Sequence, residues 1–383
     1  MGKKPRSGKN NGLLGRLLTI LLLLALGGAA GYLGTLALDR SGALTSRVSG
    51  GEVLLILTLV ASLYLAFILQ VILHEAGHLV FGLWTGYRFC SCRVFSWMWV
   101  REDGKLQKKR FRLAGTAGQC LMGPPENWKT APVALYHLGG VLMNLITAAL
   151  SALLYLLCRD IPFLGVFWVM MALAGVIFAL TNGLPVKMGA VNNDGSNLRE
   201  ILRSPDARRA VWQQMKTVEL LSRGVRLRDM PEECFVLPRE ADLSGTLVAA
   251  VGANRVSRLL DRGDLAGAEA ESAALLDAEA GLIPLHRALV LCDRDFCRLV
   301  LHKGEADLTE LRSKAVGQIL RQLSASPSVL RTRYAVALLH DRDAEAAARI
   351  RKSFDRLDGR YPYPVELVTE RELMALAEAA AGE

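Results

Sequence analysis

Four long apolar segments constrain this chain more than any other feature of its sequence. A helix needs about 20 mostly apolar residues to cross the hydrocarbon core of a bilayer, and each segment is that long. The first three, with the second taken only to Leu73, contain no Asp, Glu, Lys or Arg. The sequence therefore predicts a mainly α, polytopic membrane helix bundle of about four spans. The segments are Leu17–Leu38, Val53 to about Trp84, Ala131–Cys158 and Ile161–Leu184.

The first segment allows a second interpretation, because it follows the basic tail MGKKPRSGKNNGLLGR. A basic tail before an apolar run is also typical of a secretory signal peptide. The run exceeds the roughly 7–15 residues of a signal's apolar region, which favours a retained span. Whether this segment is kept or cleaved stays open.

Basic residues are concentrated in two of the predicted connections. Five Lys or Arg precede Leu17 and nine lie between Gly86 and Thr130, whereas only two lie between Asp39 and Glu52. Since basic loops stay on the cytoplasmic side, we expect a multi-pass cell-membrane protein with both termini in the cytoplasm. Anionic lipid beside these loops explains the net charge of +9, so no nucleic-acid partner is predicted.

The seven cysteines do not indicate a disulfide framework. Their number is odd, and Cys90, Cys92 and Cys120 fall in a loop assigned to the reducing side. A zinc site at the Cys-x-Cys pair lacks a fourth ligand at suitable spacing. We therefore expect reduced thiols.

The chain divides by composition into a membrane domain, residues 1–195, and a cytoplasmic α-helical domain, residues 196–383. Between the second and third spans, near-alternating polarity on both sides of Asp103-Gly104 predicts a membrane-associated β-hairpin. In the second domain, Leu259–Leu276 faintly echoes Leu338–Phe354. Two tetratricopeptide-like helical repeats or an irregular helical bundle fit equally, and either would serve contacts with protein partners.

The motif His74-Glu75-Ala76-Gly77-His78 carries the chemistry. Histidines four residues apart lie on one face of a helix, at the separation that lets two imidazoles share a zinc ion. Glu75 between them is expected to take a proton from a zinc-bound water. Ionisable groups at membrane depth cost about 2.5 to 3.5 kcal/mol each on insertion scales and persist mainly for function. Val53–Leu73 is about 32 Å long as a helix, which places the motif near the cytoplasmic end of its span.

A third zinc ligand must come from another span, because no Asp or Glu occurs between His78 and Arg101. The segment TNGLPVKMGAVNNDGSN supplies Asp194 at the same expected depth. Alternatives stay open: Asn192 and Asn193 are neighbours of Asp194, Glu200 is another carboxylate, and His137 is a further fallback.

These motifs together resemble the site-2 protease family of intramembrane zinc metallopeptidases. HEAGH in one span, GGVLMN in the next and NGLPVKMGAVNNDG after another follow that family's order, over about residues 50–197. The resemblance implies one Zn²⁺ per chain held by His74, His78 and Asp194, with Glu75 as the catalytic carboxylate. It also implies substrate or transition-state binding by Asn144 and Asn182. Two departures are Gly140, where many members have Pro, and a longer stretch from Pro185 to Asp194.

The expected activity is zinc-assisted hydrolysis of peptide bonds in single-span membrane proteins or short hydrophobic peptides. A non-catalytic zinc-stabilised membrane scaffold or transporter, recruiting partners through the helical domain, is the alternative from another class. It would keep the three ligands without needing Glu75. A prenyl-protein-type membrane protease, with Glu200 as its distant ligand, is a third interpretation.

Overall fold

The computed structural model describes residues 27–28, 31–33, 35–36, 39, 51–102, 104–112, 116–161, 163–185, 192–238, 241–278 and 280–382. The predicted first span, Leu17–Leu38, falls mostly outside these residues. The chain forms two compact units. The first comprises Met1–His78, His137–Val186 and Asn193–Ser196; the second comprises Leu79–Tyr136, Lys187–Asn192 and Asn197–Glu383.

Three helices in the described part of the chain are long and apolar enough to cross a membrane. They are α1 (Gly51–Trp84), of which Ile56–Trp84 meets that condition, α2 (Val133–Cys158) and α3 (Leu164–Gly183). Each lies within a few residues of the segment predicted from its apolar run, so these three predicted helices are confirmed as elements.

The surfaces of these helices suit lipid rather than water. Ile56, Val60 and Tyr64 of α1 and Leu157 of α2 are about 60% exposed or more. Apolar surface of this extent is unusual on a soluble protein, and lipid contact explains it. Ala66 of α1 packs against α3 residues that include Met170 and Ala174, and together they form a small core.

An antiparallel sheet of four strands follows α1. Its order is β3-β2-β1-β4, built from β1 (Arg88–Val94), β2 (Trp97–Glu102), β3 (Lys105–Arg110) and β4 (Gly118–Gly123). Glu102 pairs with Lys105, so the predicted hairpin is present, with the chain reversing between these two residues. This hairpin, β2 and β3, forms one half of the four-stranded sheet. The other half is β1 paired with β4.

The rest of the second unit is helical. Its elements are α4 (Asp194–Arg203), which begins in the first unit, α5 (Pro205–Ser222), α6 (Thr246–Asp261), α7 (Leu265–Asp277), α8 (Pro284–Leu301), α9 (Lys314–Gln322), α10 (Pro327–Ala335), α11 (Ala344–Asp355) and α12 (Pro364–Gly382). Short 3₁₀ turns at Leu227–Asp229 and Glu232–Cys234 and a π-helical turn at Val336–His340 complete it.

The faint sequence echo in this unit corresponds to two similar helix starts. Asp264 caps α7 by accepting a hydrogen bond from the Gly267 amide at 2.9 Å, and Asp343 caps α11 from the Ala346 amide at 2.8 Å. The echo therefore marks a shared turn and cap. A tetratricopeptide-like repeat stays a prediction.

Candidate metal centre

Helix α1 presents the three motif residues together at a buried position. His74, Glu75 and His78 are each less than 8% exposed. Because α1 continues through Trp84, the histidines stand one turn apart on one face, and their ring centroids are 4.8 Å apart. The helical spacing predicted from HEAGH is therefore present, with both rings inside the first unit.

Close packing of α2 against α1 depends on glycine. A Cβ added at Gly77 would overlap the backbone carbonyl of Gly139, so only glycine lets the two backbones approach this closely. A Cβ added at Gly140 would lie 2.6 Å from both ring nitrogens of His74. Gly140, which departs from the family pattern, thus leaves the space that the His74 ring occupies.

The start of α4 brings a carboxylate to these rings. Asn193 caps the helix, with its Oδ1 accepting from the Ser196 amide at 2.9 Å. Its Nδ2 donates to the backbone carbonyls of Thr181 and Leu184 at 2.8 and 2.6 Å, which ties α4 to the end of α3. Gly195 packs against the Gly183 carbonyl, where a Cβ would not fit. Asp194, between these two fixed residues, is held in place by its neighbours.

Three ligand atoms converge at this point. The Asp194 Oδ2 atom lies 3.2 Å from His74 Nε2 and 3.4 Å from His78 Nε2. The two Nε2 atoms are 3.2 Å apart. Ligands bound at about 2.0–2.1 Å around a tetrahedral zinc ion are about 3.3–3.4 Å from one another. The triangle therefore has the edge lengths of one face of a zinc tetrahedron.

The tautomer of His74 is set by a buried hydrogen-bond chain. Its Nδ1 lies 2.6 Å from Asn144 Oδ1, and Asn144 Nδ2 donates to Gln70 Oε1 at 2.7 Å. Gln70 Nε2 in turn donates to the Met171 carbonyl at 3.0 Å, and both amides are fully buried. Since the Asn144 oxygen can only accept, His74 Nδ1 carries the proton. Its Nε2 lone pair therefore points into the triangle.

This arrangement of lone pairs and charge suits a cation. Asp194 Oδ2 accepts no hydrogen bond within the described residues, although two imidazole nitrogens are nearby. Burial opposes ionisation of Asp194, but His78 and His74 outweigh it and hold the pKa of this carboxyl below its ordinary value. Two imidazoles and one carboxylate are a common zinc donor set, with a fourth position left for water or substrate. Among the described residues, this is the group of three that can hold a metal ion.

The other sequence candidates lie elsewhere or contact different groups. Asn182, on α3, donates from Nδ2 to the Phe178 carbonyl of its own helix at 3.0 Å. It lies one turn beyond Phe178, whose ring centroid is 6.5 Å from that of His74. His137, on α2, is buried and close enough to Asp194 and His78 to interact electrostatically with both.

The fallback ligands are engaged in capping and tethering. Glu200 accepts hydrogen bonds from the Thr246 hydroxyl at 2.5 Å and the Leu247 amide at 2.9 Å, so it caps α6. Asn192 donates to the Thr246 hydroxyl at 2.8 Å.

All seven cysteines are thiols, and Cys92 is the cross-strand partner of Cys120.

Gln70 is the residue that the sequence patterns did not single out. It lies one turn before His74 on α1 and accepts a hydrogen bond from Asn144, the amide that orients the His74 ring. A single Gln inside an otherwise apolar span was the available signal, because an amide at that depth needs a hydrogen-bonding partner.

Comparison with protein-family models, curated proteins and solved structures finds no match to this chain, and the centre is therefore interpreted from its own geometry.

Proposed function

We propose that this protein is an intramembrane zinc endopeptidase of the site-2 protease type, which hydrolyses peptide bonds in single-span membrane proteins or hydrophobic peptides. One observation carries the proposal: His74, His78 and Asp194 converge with the edge lengths of a zinc site, and Glu75 adjoins it on α1. The apolar helices α1, α2 and α3 around it support a substrate within the membrane.

The proposed chemistry assigns the proton transfers to Glu75. Bound zinc would supply a Lewis acid that polarises a carbonyl and lowers the pKa of a water toward about 7. Glu75 accepts a proton from the attacking water at its carboxylate and returns it to the leaving amine nitrogen. Its burial and its place next to His74 in the sequence support this role.

We assign Asn144 to positioning rather than to substrate contact. Both ends of its amide are already engaged, by His74 and by Gln70, and the side chain is fully buried. A ligating histidine commonly donates its other N–H to such a partner, which fixes the ring and strengthens the ligand. Asn182, partly buried on α3, remains the proposed substrate-binding amide.

The substrate must expose a peptide bond before attack. A transmembrane helix hides its carbonyls in its own hydrogen bonds, so a local unwound segment is required. Helix-breaking residues near one end of a substrate span would favour cleavage there. We therefore expect single-span proteins with Gly, Pro or Asn in the span to be better substrates than uniform Leu spans.

The proposal is tested by reconstituting the chain in liposomes with a single-span reporter. Wild-type protein should contain about one zinc per chain and cleave the reporter. Glu75→Gln should retain zinc and lose cleavage by at least about a hundredfold, because a general base contributes 10²- to 10⁴-fold.

Asp160→Asn is the matched control, since this carboxylate lies on the exposed turn between α2 and α3 and should change neither quantity. Full cleavage by Glu75→Gln would contradict the assignment of Glu75 as the general base. Zinc without cleavage of any single-span reporter in wild-type protein would favour the scaffold alternative.

A further inference from the structure

A cavity in the second unit lies outside the metal centre. Its volume is about 230 Å³, and its walls come from α5, α6, α8, α10 and α12. Leu221, Leu260 and Leu373 contribute apolar surface. The volume equals about eight waters at about 30 Å³ each, which is the size of a small organic molecule or of one long side chain.

Carboxylates outnumber cations around this cavity. The Arg331 guanidinium, only 1% exposed, donates to Asp293 at 2.6 Å and to Glu370 at 3.0 Å. The other arginine in the wall, Arg226, is likewise shared by two carboxylates, Asp261 and Glu372. Each guanidinium therefore already serves two acids.

Glu366 is a carboxylate of the cavity wall that forms no ion pair with a Lys or Arg of the described chain. It lies in the cavity wall one turn before Glu370, on the same face of α12. Within the described chain no Lys or Arg forms an ion pair with it, and its hydrogen bond comes from the Tyr361 hydroxyl. Lys109, which donates to the Tyr361 carbonyl, is paired with Glu102.

Two like charges one helical turn apart repel each other, and burial adds to that cost. Burial raises the pKa of both Glu366 and Glu370 to about 7. At neutral pH each carboxyl therefore holds a proton part of the time. A cation entering the cavity would relieve both the repulsion and the burial cost.

We propose that this cavity binds an alkylammonium group, with the ammonium between Glu366 and Glu370 and the carbon chain against the leucines. The leucines in the wall would contact an alkyl chain, which a hydrated metal ion lacks. A free amine and the side chain of a lysine in a polypeptide share this chemistry. The proposal goes beyond the proposed peptidase function and does not depend on it.

The test is titration calorimetry on the full chain in detergent at neutral pH. Butylammonium and cadaverine represent free amines, acetyl-lysine methylamide represents a polypeptide, and butanol is the uncharged control. The ammonium compounds should bind and raise Tm, while butanol should do neither. Glu366→Gln should weaken binding at least tenfold, whereas Glu345→Gln, an exposed carboxylate on α11, should leave it unchanged.

A second measurement uses wild-type protein alone, in case Glu366→Gln fails to fold. Ammonium binding should release protons, so the apparent enthalpy should differ between buffers of different ionisation enthalpy. Binding of acetyl-lysine methylamide without the free amines would assign the site to polypeptide lysines. The proposal is overturned if no ammonium compound binds, if binding releases no protons, or if Glu366→Gln binds as tightly as wild type.

Discussion

At the scale of single residues, the sequence predicts the histidine pair, but it does not predict the hydrogen bonds that orient His74. His74 and His78 follow from helical spacing alone, and Asp194 is brought to within 3.4 Å of both, as the interpretation of the motif expected. The contact between Gln70 and Asn144 could not be predicted, because it joins residues 74 positions apart on different helices. Local periodicity carries no information about such pairs.

Replacing Asn144 by Leu tests the orientation of His74. The change keeps the side-chain size but removes the acceptor for His74 Nδ1, so the ring loses its fixed tautomer. Zinc affinity should fall by about 10- to 100-fold, the usual cost of losing such a partner. Competition with a fluorescent zinc chelator measures it.

Gln70→Leu should weaken zinc binding in the same direction but less, because it acts through Asn144. Ser151→Ala, at a buried polar position on the same helix as Asn144, should not change it. Unaltered affinity in Asn144→Leu would contradict the positioning role.

At the scale of elements, long apolar runs and one turn signal were predictive. The helices α1, α2 and α3 and the hairpin of β2 and β3 lie where the sequence placed them. The strands β1 and β4 were missed, because β4 pairs with a strand much earlier in the sequence and β1 is interrupted by an irregularity between Phe89 and Ser91. The helix α4 was foreseen only as the start of a helical composition, without its cap.

Gly140→Ala tests the close approach of α2 to α1. The new methyl group would lie 2.5 Å from His74 Cε1, so the ring must move out of the triangle. We expect at least a tenfold loss of zinc affinity with the helices still formed, measured by chelator competition and circular dichroism.

Gly165→Ala on α3 is the matched control, since its nearest contact would be an ordinary 3.4 Å. If both variants bound zinc as wild type does, the packing account of Gly140 would be wrong.

Asn193 variants test how α4 holds Asp194. Asn193→Ala removes the cap and both tethers to the end of α3, and we expect zinc affinity to fall by about fivefold, given about 1 kcal/mol for a lost cap. Asn193→Asp keeps a capping oxygen but loses the two amide donations. An affinity between those of wild type and Asn193→Ala would show that both contacts matter, whereas wild-type affinity in Asn193→Ala would show that neither does.

At the scale of the whole molecule, composition separated the membrane-type helices from the helical region after residue 195. It could not show how the second unit is assembled, because the sheet and the C-terminal helices are far apart in the sequence. Composition also could not predict the buried charges of the second unit. Arg331, Asp293 and Glu370 come from three different helices.

These buried carboxyls predict a pH dependence of stability. The pKa of Glu366 and Glu370 rises from 4.5 to about 7 on folding, so between these values the folded state holds protons that the unfolded chain has released. The contribution of these two carboxyls to the free energy of unfolding should therefore fall as pH rises from about 4.5 to about 7, whereas buried His286, whose pKa is lowered from 6.5 to about 4, contributes in the opposite direction.

Thermal unfolding followed by circular dichroism measures this change. The contribution of Glu366 is isolated by the difference in Tm between wild type and Glu366→Gln, which should shift against wild type as pH rises through this interval, because only wild type loses the protonated Glu366 carboxyl. Asp194, whose pKa is lowered, acts only at more acidic pH, so it does not obscure this range. A wild-type Tm that rises relative to that of Glu366→Gln over this interval would contradict the assignment.

The most direct test of the account is X-ray absorption at the zinc edge on the purified, full-length protein. We expect one zinc per chain with nitrogen and oxygen neighbours at about 2.0–2.2 Å, two of them imidazoles, and no sulfur. A sulfur neighbour at about 2.3 Å would instead place the ion at cysteines, and an imidazole signal that survives in the double variant His74→Ala, His78→Ala would place it at other histidines. Either result would contradict a metal centre at His74, His78 and Asp194.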